Sequence, residues 1–497
     1  MNRIIKIALV TITSFAMFIC TFFLLGNLES KSSGIYLFGA SLLITVVLCL
    51  GIIFSRTRSK IVEVFDNIQK NKIATATFIV AIISIGVLIR FLFYLKFSYE
   101  PISDAGVFYE TAQHISDGLG VAGNTYIAMF PYLAAYDFLL SIPMTVINDP
   151  WMSVIILNTL FDICAGLVAY VYVKRISKIN SRAPLLVLLF WILNPFNILF
   201  SLTSLPIVVV NFFIITSLLI TSLTISSLDG KKRIPAILLS LALGVVMGLG
   251  SMFRPVFTIV LIGIALVFLY KLMSSRANFR KILLFSSSLI IISLAFFSVQ
   301  KINTLIIETQ VKMPVASNAS GWSMYVGSNW DSVGRWNIED QDRMQLICAS
   351  TVDKSECHNS LASAAFSRYK DLGIGNATNL FIRKTHVFSS NQSNVYDADL
   401  SIVGYADSTI KKIFDTYITL FIVTVFALSI LFFYNQTRRV VVDKKIKADT
   451  ILLALIIIGF FVSIIAIETA ERYAQIMYPI FIVVAALQLA SMESKKV

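Results

Sequence analysis

An all-α polytopic membrane protein is the fold class that this sequence predicts. Its composition is one reason, since hydrophobic residues make up 57% of the 497 residues and charged residues only 14%, against about 25% in soluble proteins. The apolar residues also come in blocks of about 20, which as helices cross a hydrocarbon core ~30 Å thick. Alternating apolar and polar strands, which a membrane barrel needs, are absent. We expect about 12 transmembrane helices, with amphipathic helices at the outer face and a mixed extracytoplasmic loop domain.

The first apolar block follows Arg3 and Lys6 and resembles a signal peptide. Because it is about 20 residues long and lacks a convincing small-residue cleavage site, we count it as the first span. The predicted spans are 4–26, 34–54, 73–97, 151–173, 184–203, 206–226, 235–252, 255–273, 282–300, 412–434, 449–468 and 474–491.

The basic residues predict which side of the membrane each connecting segment occupies. They gather in short segments between the apolar blocks, and the positive-inside rule places such segments in the cytoplasm. This distribution explains the net charge of +13 as a topology signal, so no nucleic-acid partner is expected. The basic segments are 55–72, 174–183, 231–233, 271–281, 438–447 and 495–496.

The apolar stretch 131–147 breaks this alternation if it spans the membrane. It is short and is interrupted by Asp137 and Pro143, so we expect a helix that lies on or dips into the outer face. With that choice both termini are cytoplasmic, and segments 98–150 and 301–411 face outward. The chain is then a multi-pass protein of the cell membrane whose polar regions lie outside.

The predicted topology divides the chain into four parts. Residues 1–72 form two N-terminal spans with a basic cytoplasmic loop, and residues 73–300 form a membrane core that includes the first outer loop, 98–150. Residues 301–411 form an extracytoplasmic loop domain, and residues 412–497 form three C-terminal spans. Ordinary connections run to about 12–15 residues, so a loop as long as 301–411 indicates function.

Two of the five cysteines, Cys348 and Cys357, share the loop domain. We expect them to form a disulfide if that compartment is oxidising. The other three lie in apolar blocks, and no CxxC or Cys/His metal spacing occurs in the sequence. No metal-ligating residue is therefore predicted.

Two acidic residues have alternative interpretations. Asp104 stands where an amphipathic helix at the outer interface begins, and its spacing alone favours an N-cap over a general base held at the membrane surface. Asp162 falls in the middle of span 151–173, where a charge costs around 2.5–3.5 kcal/mol on insertion scales. We interpret it as a buried acid that is partnered or neutral, although it is also the best feature in favour of a transporter.

A series of motifs resembles the family-C glycosyltransferases, which include the protein O-mannosyltransferases and the lipid A aminoarabinose transferase. The motifs follow the family's order from residue 73 to about residue 490. The first outer loop carries Asp104, Tyr109, Ala112 and Gly118, then Phe130-Pro131-Tyr132 and Tyr136. The later motifs are Asn194-Pro195, Arg254-Pro255, Gly321-Trp322 to Asn337, Phe381-Ile382-Arg383-Lys384 and Glu471-Arg472-Tyr473 with Pro479.

The resemblance implies that Asp104 is catalytic and that the donor is a sugar on a polyprenyl phosphate. The sequence departs from the family at two places, since many relatives have a second acid where this chain has Ala105, and another carboxylate where it has Ser201-Leu202-Thr203-Ser204. These departures argue against a divalent-metal requirement without excluding one, and no other cofactor is implied.

Other site residues follow from the chemistry of such a donor. Its phosphate lies at headgroup depth, where cations are needed, and we predict Arg254, Lys384 and Arg472 as the phosphate-binding residues. The alternative for these cations is a contact with anionic lipid, or with Glu468 or Glu471. The predicted sugar- or acceptor-binding residues are Tyr132, Trp322 and Asn329, although an interfacial belt explains tryptophans in this segment as well.

The predicted function is therefore that of a membrane glycosyltransferase. It moves a hexosyl or pentosyl group from a polyprenyl-phosphate donor to an extracytoplasmic acceptor, which is a glycan of the cell wall or envelope, a lipid or a protein. One carboxylate without a second nucleophile predicts inversion at the anomeric carbon. Two alternatives stay open: a transporter or flippase of lipid-linked sugars, for which no internal repeat is seen, and a polymerase or ligase of lipid-linked glycans.

Overall fold

The structure is a computed structural model that describes most of the chain. The predicted span 34–54, the basic segment 495–496 and parts of the other five basic segments lie outside the described residues. The described residues are 3–29, 64–65, 67–177, 181–230, 232–274, 279–317, 319–349, 351, 353–389, 401–443, 446–464 and 466–491.

The described chain is almost entirely helical. The helices of its first half are α1 (Arg3–Glu29), α2 (Lys72–Lys96), α3 (Ser103–Ser116), α4 (Thr125–Met129), α5 (Ala134–Met144), α6 (Pro150–Ile176), α7 (Ala183–Ile192), α8 (Pro195–Phe200) and α9 (Ile207–Asp229). Those of its second half are α10 (Arg233–Ser251), α11 (Phe257–Ser274), α12 (Phe279–Val311), α13 (Ser320–Gly327), α14 (Ile338–Ala349), α15 (Lys354–Ser389), α16 (Thr409–Val442), α17 (Ala448–Ser463), a 3-10 helix (Glu471–Met477) and α18 (Tyr478–Ser491).

Within the described residues, 9 helices are long and apolar enough to cross a membrane. Each of these 9 coincides with one of the predicted spans, because the length and hydropathy of a block suffice to define it. Three further apolar helices, α5, α7 and α17, have between 10 and 17 residues. The fold class predicted from the sequence, an all-α polytopic membrane protein, is confirmed.

Two predicted spans have different bounds in the structure. The span predicted at 184–203 is divided into α7 and α8, because Pro195 has no N–H and disfavours a helical backbone at the residue before it. Asn194 caps the new helix, since its Oδ1 accepts from the N–H of Phe196 at 3.1 Å. The span predicted at 449–468 ends as a helix at Ser463. The residues that follow belong to the candidate site described below.

The stretch 131–147 contains α5, which has 11 residues. A helix of this length rises about 16 Å, roughly half of a ~30 Å hydrocarbon core. The observed length therefore agrees with the prediction of a helix that does not cross.

A two-stranded antiparallel ladder joins the start of segment 98–150 to the end of segment 301–411. Strand β1 (Ser98–Tyr99) follows α2, and β2 (Ile402–Val403) precedes α16. Ser98 lies opposite Val403, and Tyr99 lies opposite Ile402. The ladder thus pairs the first residues of segment 98–150 with residues near the end of segment 301–411.

Asp162 forms a fully buried ion pair in the helical core. Arg90 Nη2 donates to Asp162 Oδ2 at 2.6 Å, and the two side chains are 2% and 1% exposed. The other carboxylate oxygen accepts from Trp191 Nε1 at 2.9 Å and from Asn197 Nδ2 at 2.7 Å. The interpretation of Asp162 as a partnered acid is confirmed. Its partner Arg90, on α2, was not identified from the sequence.

A second apolar core, which we call the outer core, connects the first outer loop to the loop domain. It contains the expected disulfide between Cys348 and Cys357, whose Cα atoms are 5.0 Å apart. Its buried members come from α4 and its C-cap and from α13 to α15: Met129, Phe130, Trp322, Tyr325, Val326, Cys348, Cys357 and Leu361. The two outer segments therefore pack as one unit.

His358 links the same two segments by hydrogen bonds. Its Nδ1 accepts from the N–H of Trp322 at 3.3 Å, so Nε2 carries the proton and donates to the carbonyl of Met129 at 3.0 Å. Burial lowers the pKa of His358 below its ordinary value. The neutral imidazole therefore joins the first outer loop to the loop domain.

Candidate active site

Asp104 lies in the first turn of α3, with its side chain 38% exposed. The N-cap of this helix is Ile102, and it provides no side-chain hydrogen bond. The interpretation of Asp104 as the cap is therefore wrong, because Asp104 is already inside the helix. Its carboxylate bonds elsewhere: Arg472 Nη2 donates to Asp104 Oδ2 at 2.6 Å.

The backbone around Asp104 is held in an uncommon conformation. Ser103, directly before it, has a φ of 55°, in the left-handed region, where a non-glycine residue costs of order 1–3 kcal/mol. The segment after α8 fixes this turn, since Ser204 Oγ donates to the carbonyl of Ala105 at 2.6 Å. The N–H of Ser204 in turn donates to the hydroxyl of Tyr99 at 2.7 Å. The position of the aspartate is thus set by contacts from distant parts of the chain.

Arg254 lies in the turn between α10 and α11, partly buried. Its guanidinium is placed over the ring of Tyr473, 5.1 Å from the centroid. Its Nε is buried and has no hydrogen-bond partner among the described residues. No carboxylate of the described part of the chain lies within ion-pair distance of it. A guanidinium in this state favours an anion.

Tyr473 connects the two arginines. The guanidinium of Arg472 lies 5.6 Å from the centroid of the Tyr473 ring, and that of Arg254 lies at 5.1 Å. The electron-rich ring attracts both cations. Its hydroxyl also interacts with the carboxylate of Glu468 and lowers the pKa of that acid. One side chain therefore orients both guanidinium groups and an acid.

Glu468 is a second carboxylate at this site. Burial raises its pKa, and the charge of Asp104 raises it as well, whereas Arg472, the Tyr473 hydroxyl and Arg254 lower it. From the sequence, Glu468 was predicted only as an alternative partner for a cation. The sequence feature that could have identified Glu468 as a site residue is its place at the predicted outer end of an apolar block, four residues before Arg472.

Tyr132 lies among the same charges. Burial raises its pKa above the ordinary value, so its hydroxyl stays protonated and available as a donor. The groups that influence it are Tyr473, Arg254, Glu468 and Asp104. We call the whole set the Asp104 cluster: Asp104, Tyr132, Arg254, Glu468, Arg472 and Tyr473. Four predicted site residues, Asp104, Tyr132, Arg254 and Arg472, are thus brought together.

Lys384 lies beside the cluster but is fully buried. Its Nζ donates to the carbonyl of Gly327 at 2.9 Å. Its stem passes so close to Gly334 that a Cβ there would lie 2.9 Å from Lys384 Cε. Burial lowers the pKa of Lys384 to about 7, and the charge of Glu468 opposes this change. These contacts favour a structural role for Lys384 within the loop domain and make it less suited to bind a phosphate.

Trp322 and Asn329, predicted to bind sugar or acceptor, make internal contacts. Trp322 is 9% exposed and belongs to the outer core. Asn329 Nδ2 donates to Asp340 at 2.9 Å, and its Oδ1 accepts from the N–H groups of Asp331 and Ser332. Both side chains therefore stabilise the loop domain, and neither joins the Asp104 cluster.

The acids of the cluster are Asp104, which is bonded to Arg472, and Glu468, whose pKa is raised by burial and by the charge of Asp104. In the residues that the structure describes, no group of three or more His, Cys, Asp or Glu side chains suits a metal ion. The positions at which the sequence departs from the family it resembles, Ala105 and Ser204, are in contact through the hydrogen bond described above. The cluster itself provides two carboxylates, two guanidinium groups and two tyrosine hydroxyls.

Comparison with known proteins gives similarities to solved structures only. No protein-family model matches the chain, and no curated protein matches it significantly. The chain is similar to the apo form of the oligosaccharyltransferase of Archaeoglobus fulgidus, at 11% identity and a TM-score of 0.47, over 84% of this chain and 51% of that one. The complex of the same archaeal enzyme with an inhibitory peptide and a dolichol-phosphate gives 12% identity and a TM-score of 0.47, over 84% and 50%. The chain spans about half the length of these oligosaccharyltransferases.

Proposed function

We propose that this protein is a membrane glycosyltransferase that transfers a sugar from a polyprenyl-phosphate donor to an extracytoplasmic acceptor. The observation that carries the proposal is the Asp104 cluster itself. It holds one accessible carboxylate, bonded to Arg472, next to the guanidinium of Arg254, which has no anionic partner among the described residues. The motif resemblance noted in the sequence supports the same chemistry.

The proposed reaction is a single displacement. The acceptor hydroxyl attacks the anomeric carbon of the sugar, and Asp104 accepts its proton. The bond between that carbon and the phosphate oxygen breaks, and its electron pair stays on the lipid phosphate. Since the phosphate is a good leaving group, no separate acid is needed. The sugar is therefore delivered with inverted configuration.

The two arginines have different roles in this reaction. Arg254 binds the phosphate, because guanidinium N–H groups match phosphate oxygens in bidentate geometry. Arg472 holds the Asp104 carboxylate at 2.6 Å and lies beside the same ring as Arg254. As negative charge grows on the departing phosphate, both cations stabilise it. Tyr132 supplies a neutral hydroxyl to the sugar or the acceptor.

The proposal places the cluster at the outer face of the cell membrane, with both termini in the cytoplasm. The four-part division at residues 72, 300 and 411 belongs to the same proposal. The orientation and the division both follow from the basic segments and from α5, whose 11 residues are too few to cross the membrane. The outer core then lies above the membrane, with Tyr132 of the cluster packed against it.

The transporter alternative loses its main sequence feature. Asp162, the central acid that favoured it, is bonded to Arg90, Trp191 and Asn197 in a closed core. A polymerase or ligase of lipid-linked glycans shares the proposed chemistry and differs only in its acceptor.

The experiment that tests the proposal uses the full chain in liposomes that contain a polyprenyl-phosphate sugar labelled in the sugar. A panel of hexosyl and pentosyl donors is offered with cell-envelope glycans, lipids and proteins. Transfer of label to an acceptor, with release of polyprenyl phosphate and an inverted anomeric linkage, is expected. Movement of the intact donor across the bilayer without transfer would contradict the proposal and support a flippase.

A further inference from the structure

Arg335, in the loop domain, contacts the 3-10 helix that carries part of the Asp104 cluster. Its side chain is 49% exposed, and its Nη2 donates to Oε1 of Glu471, the first residue of that helix. The next residue, Arg472, donates to Asp104. Two consecutive residues of the 3-10 helix therefore form ion pairs with two different parts of the chain, the loop domain and α3.

The geometry of a 3-10 helix explains why the two pairs can form side by side. Such a helix has about 3 residues per turn, so the side chains of neighbouring residues leave it about 120° apart. Glu471 can therefore bond to the loop domain while Arg472 bonds to α3. The first turn of the helix is held from two directions.

The 3-10 helix depends on contacts from outside itself. Runs longer than about 3–4 residues are uncommon, because the hydrogen-bond geometry is poor, and this helix has 7 residues. Its N-cap, Ala470, makes no side-chain hydrogen bond. The pair of Arg335 with Glu471 therefore fixes the end of the helix that carries Arg472 and Tyr473.

The turn before Arg335 contacts the same segment through its backbone. Val333 and Gly334 have φ angles of 57° and 70°, in the left-handed region, which a β-branched residue rarely adopts. The carbonyl of Gly334 accepts from the N–H of Thr469 at 2.8 Å, two residues before Glu471. The turn thus brings a backbone acceptor and the Arg335 side chain to the residues that lead into the 3-10 helix.

We propose that Arg335 is a positioning residue of the transfer reaction, which holds the 3-10 helix through Glu471 so that Arg472 keeps the Asp104 carboxylate in place. This inference rests on the proposed function, because it takes Asp104 as the base. A displacement of about 1 Å at a reacting group costs up to about 100-fold in rate. Loss of the Arg335 bond therefore lowers kcat, whereas phosphate binding at Arg254, on the turn between α10 and α11, is retained.

The test measures transfer by the full chain in liposomes that contain the labelled donor. Arg335→Ala should lower kcat by roughly 10- to 100-fold with little change in KM for the donor. Arg335→Lys, which keeps a cation at Glu471, should retain most of the wild-type kcat. The matched control is Arg343→Ala, since Arg343 bonds to Glu339 in another exposed ion pair of the loop domain. This control should transfer like the wild type, and all three variants should keep the wild-type Tm, because exposed ion pairs contribute little to stability.

Glu471→Ala and the double variant with Arg335→Ala show whether the arginine acts through Glu471. Both singles and the double should transfer at similarly reduced rates, because the effects of removing two partners of one contact are not additive. Calorimetric titration with farnesyl methyl phosphate, a phosphodiester without a sugar, should give the wild-type Kd for each of them.

Four results would overturn the inference. Transfer by Arg335→Ala at the wild-type rate overturns it and leaves the proposed function intact. A fall in kcat that comes with a lower Tm and is not reversed in Arg335→Lys assigns the residue a general structural role. If Arg335→Ala loses transfer but Glu471→Ala does not, Arg335 acts on a substrate directly rather than through the 3-10 helix. If the wild-type chain transfers no sugar, the proposed function fails, and the inference fails with it.

Discussion

Arg472 donates to Asp104 at 2.6 Å across a sequence separation of 368 residues. The bond joins the first turn of α3 to the 3-10 helix before α18. An ion pair at a partly exposed position stabilises a fold only slightly. The pair matters for position, since it holds one carboxylate near a second guanidinium, that of Arg254, which has no anionic partner among the described residues.

We expect Arg254→Ala to weaken binding of farnesyl methyl phosphate by roughly 10- to 150-fold, because a charged hydrogen bond contributes about 1.5–3 kcal/mol. Arg254→Lys should retain only part of the wild-type affinity, since an ammonium group cannot bind a phosphate in bidentate fashion. Calorimetric titration provides the Kd values. Arg383→Ala is the control, because that guanidinium lies on Trp330 instead. Equal Kd values for the wild type and Arg254→Ala would exclude this residue from the phosphate site.

We expect the protein to lose stability in acid through His358. Its pKa is lowered by burial in the folded state. Its contribution is therefore present above about pH 6.5, the unfolded value, and is lost as the pH falls through the folded pKa. Thermal unfolding at pH 7.5 and 5.5 should show a drop in Tm that is smaller in His358→Gln. The exposed His114 is the control, since His114→Gln should keep the full drop. If the Tm of His358→Gln fell by as much as that of the wild type, His358 would not be the cause of the instability in acid.

Breaking the buried pair of Arg90 and Asp162 should destabilise the protein by roughly 3–5 kcal/mol, because the remaining charge has no partner. Asp162→Asn and Arg90→Gln should both lower the Tm in detergent. The double variant Arg90→Met with Asp162→Leu should recover much of the loss. Single variants with an unchanged Tm would show that the pair is not closed, and transport through this region would have to be reconsidered.

The proposed orientation predicts a labelling pattern with impermeant thiol reagents applied from outside. Single cysteines at Ser59, Ser177 and Lys445 should be shielded, and those at Asp117 and Ser355 should react. Permeabilised membranes, in which every accessible site reacts, provide the control. Labelling of position 177 from outside would mean that the stretch 131–147 spans, and it would move Arg254 to the cytoplasmic side.

The spans were predictable from the sequence because each depends on a local property, the length of an apolar block. Contacts between distant residues were not. The partner of Asp162 is Arg90, on another helix, and nothing in either segment indicates the pair. Trp322 and Asn329 were predicted as ligand-binding from their motif, but their side chains face the outer core and Asp340. A motif indicates which residues matter, and only the fold shows what each of them contacts.

The central claim is that Asp104 is the base of a transfer reaction, and Asp104→Asn tests it most directly. Asparagine keeps the size and accepts a hydrogen bond from Arg472, but it does not accept a proton from the acceptor hydroxyl. Transfer from the labelled donor should fall by about 10²–10⁴-fold, with no loss of donor affinity. Asp117→Asn, at the C-cap of the same helix, should transfer like the wild type. Transfer by Asp104→Asn at the wild-type rate would contradict the role of Asp104 as the base.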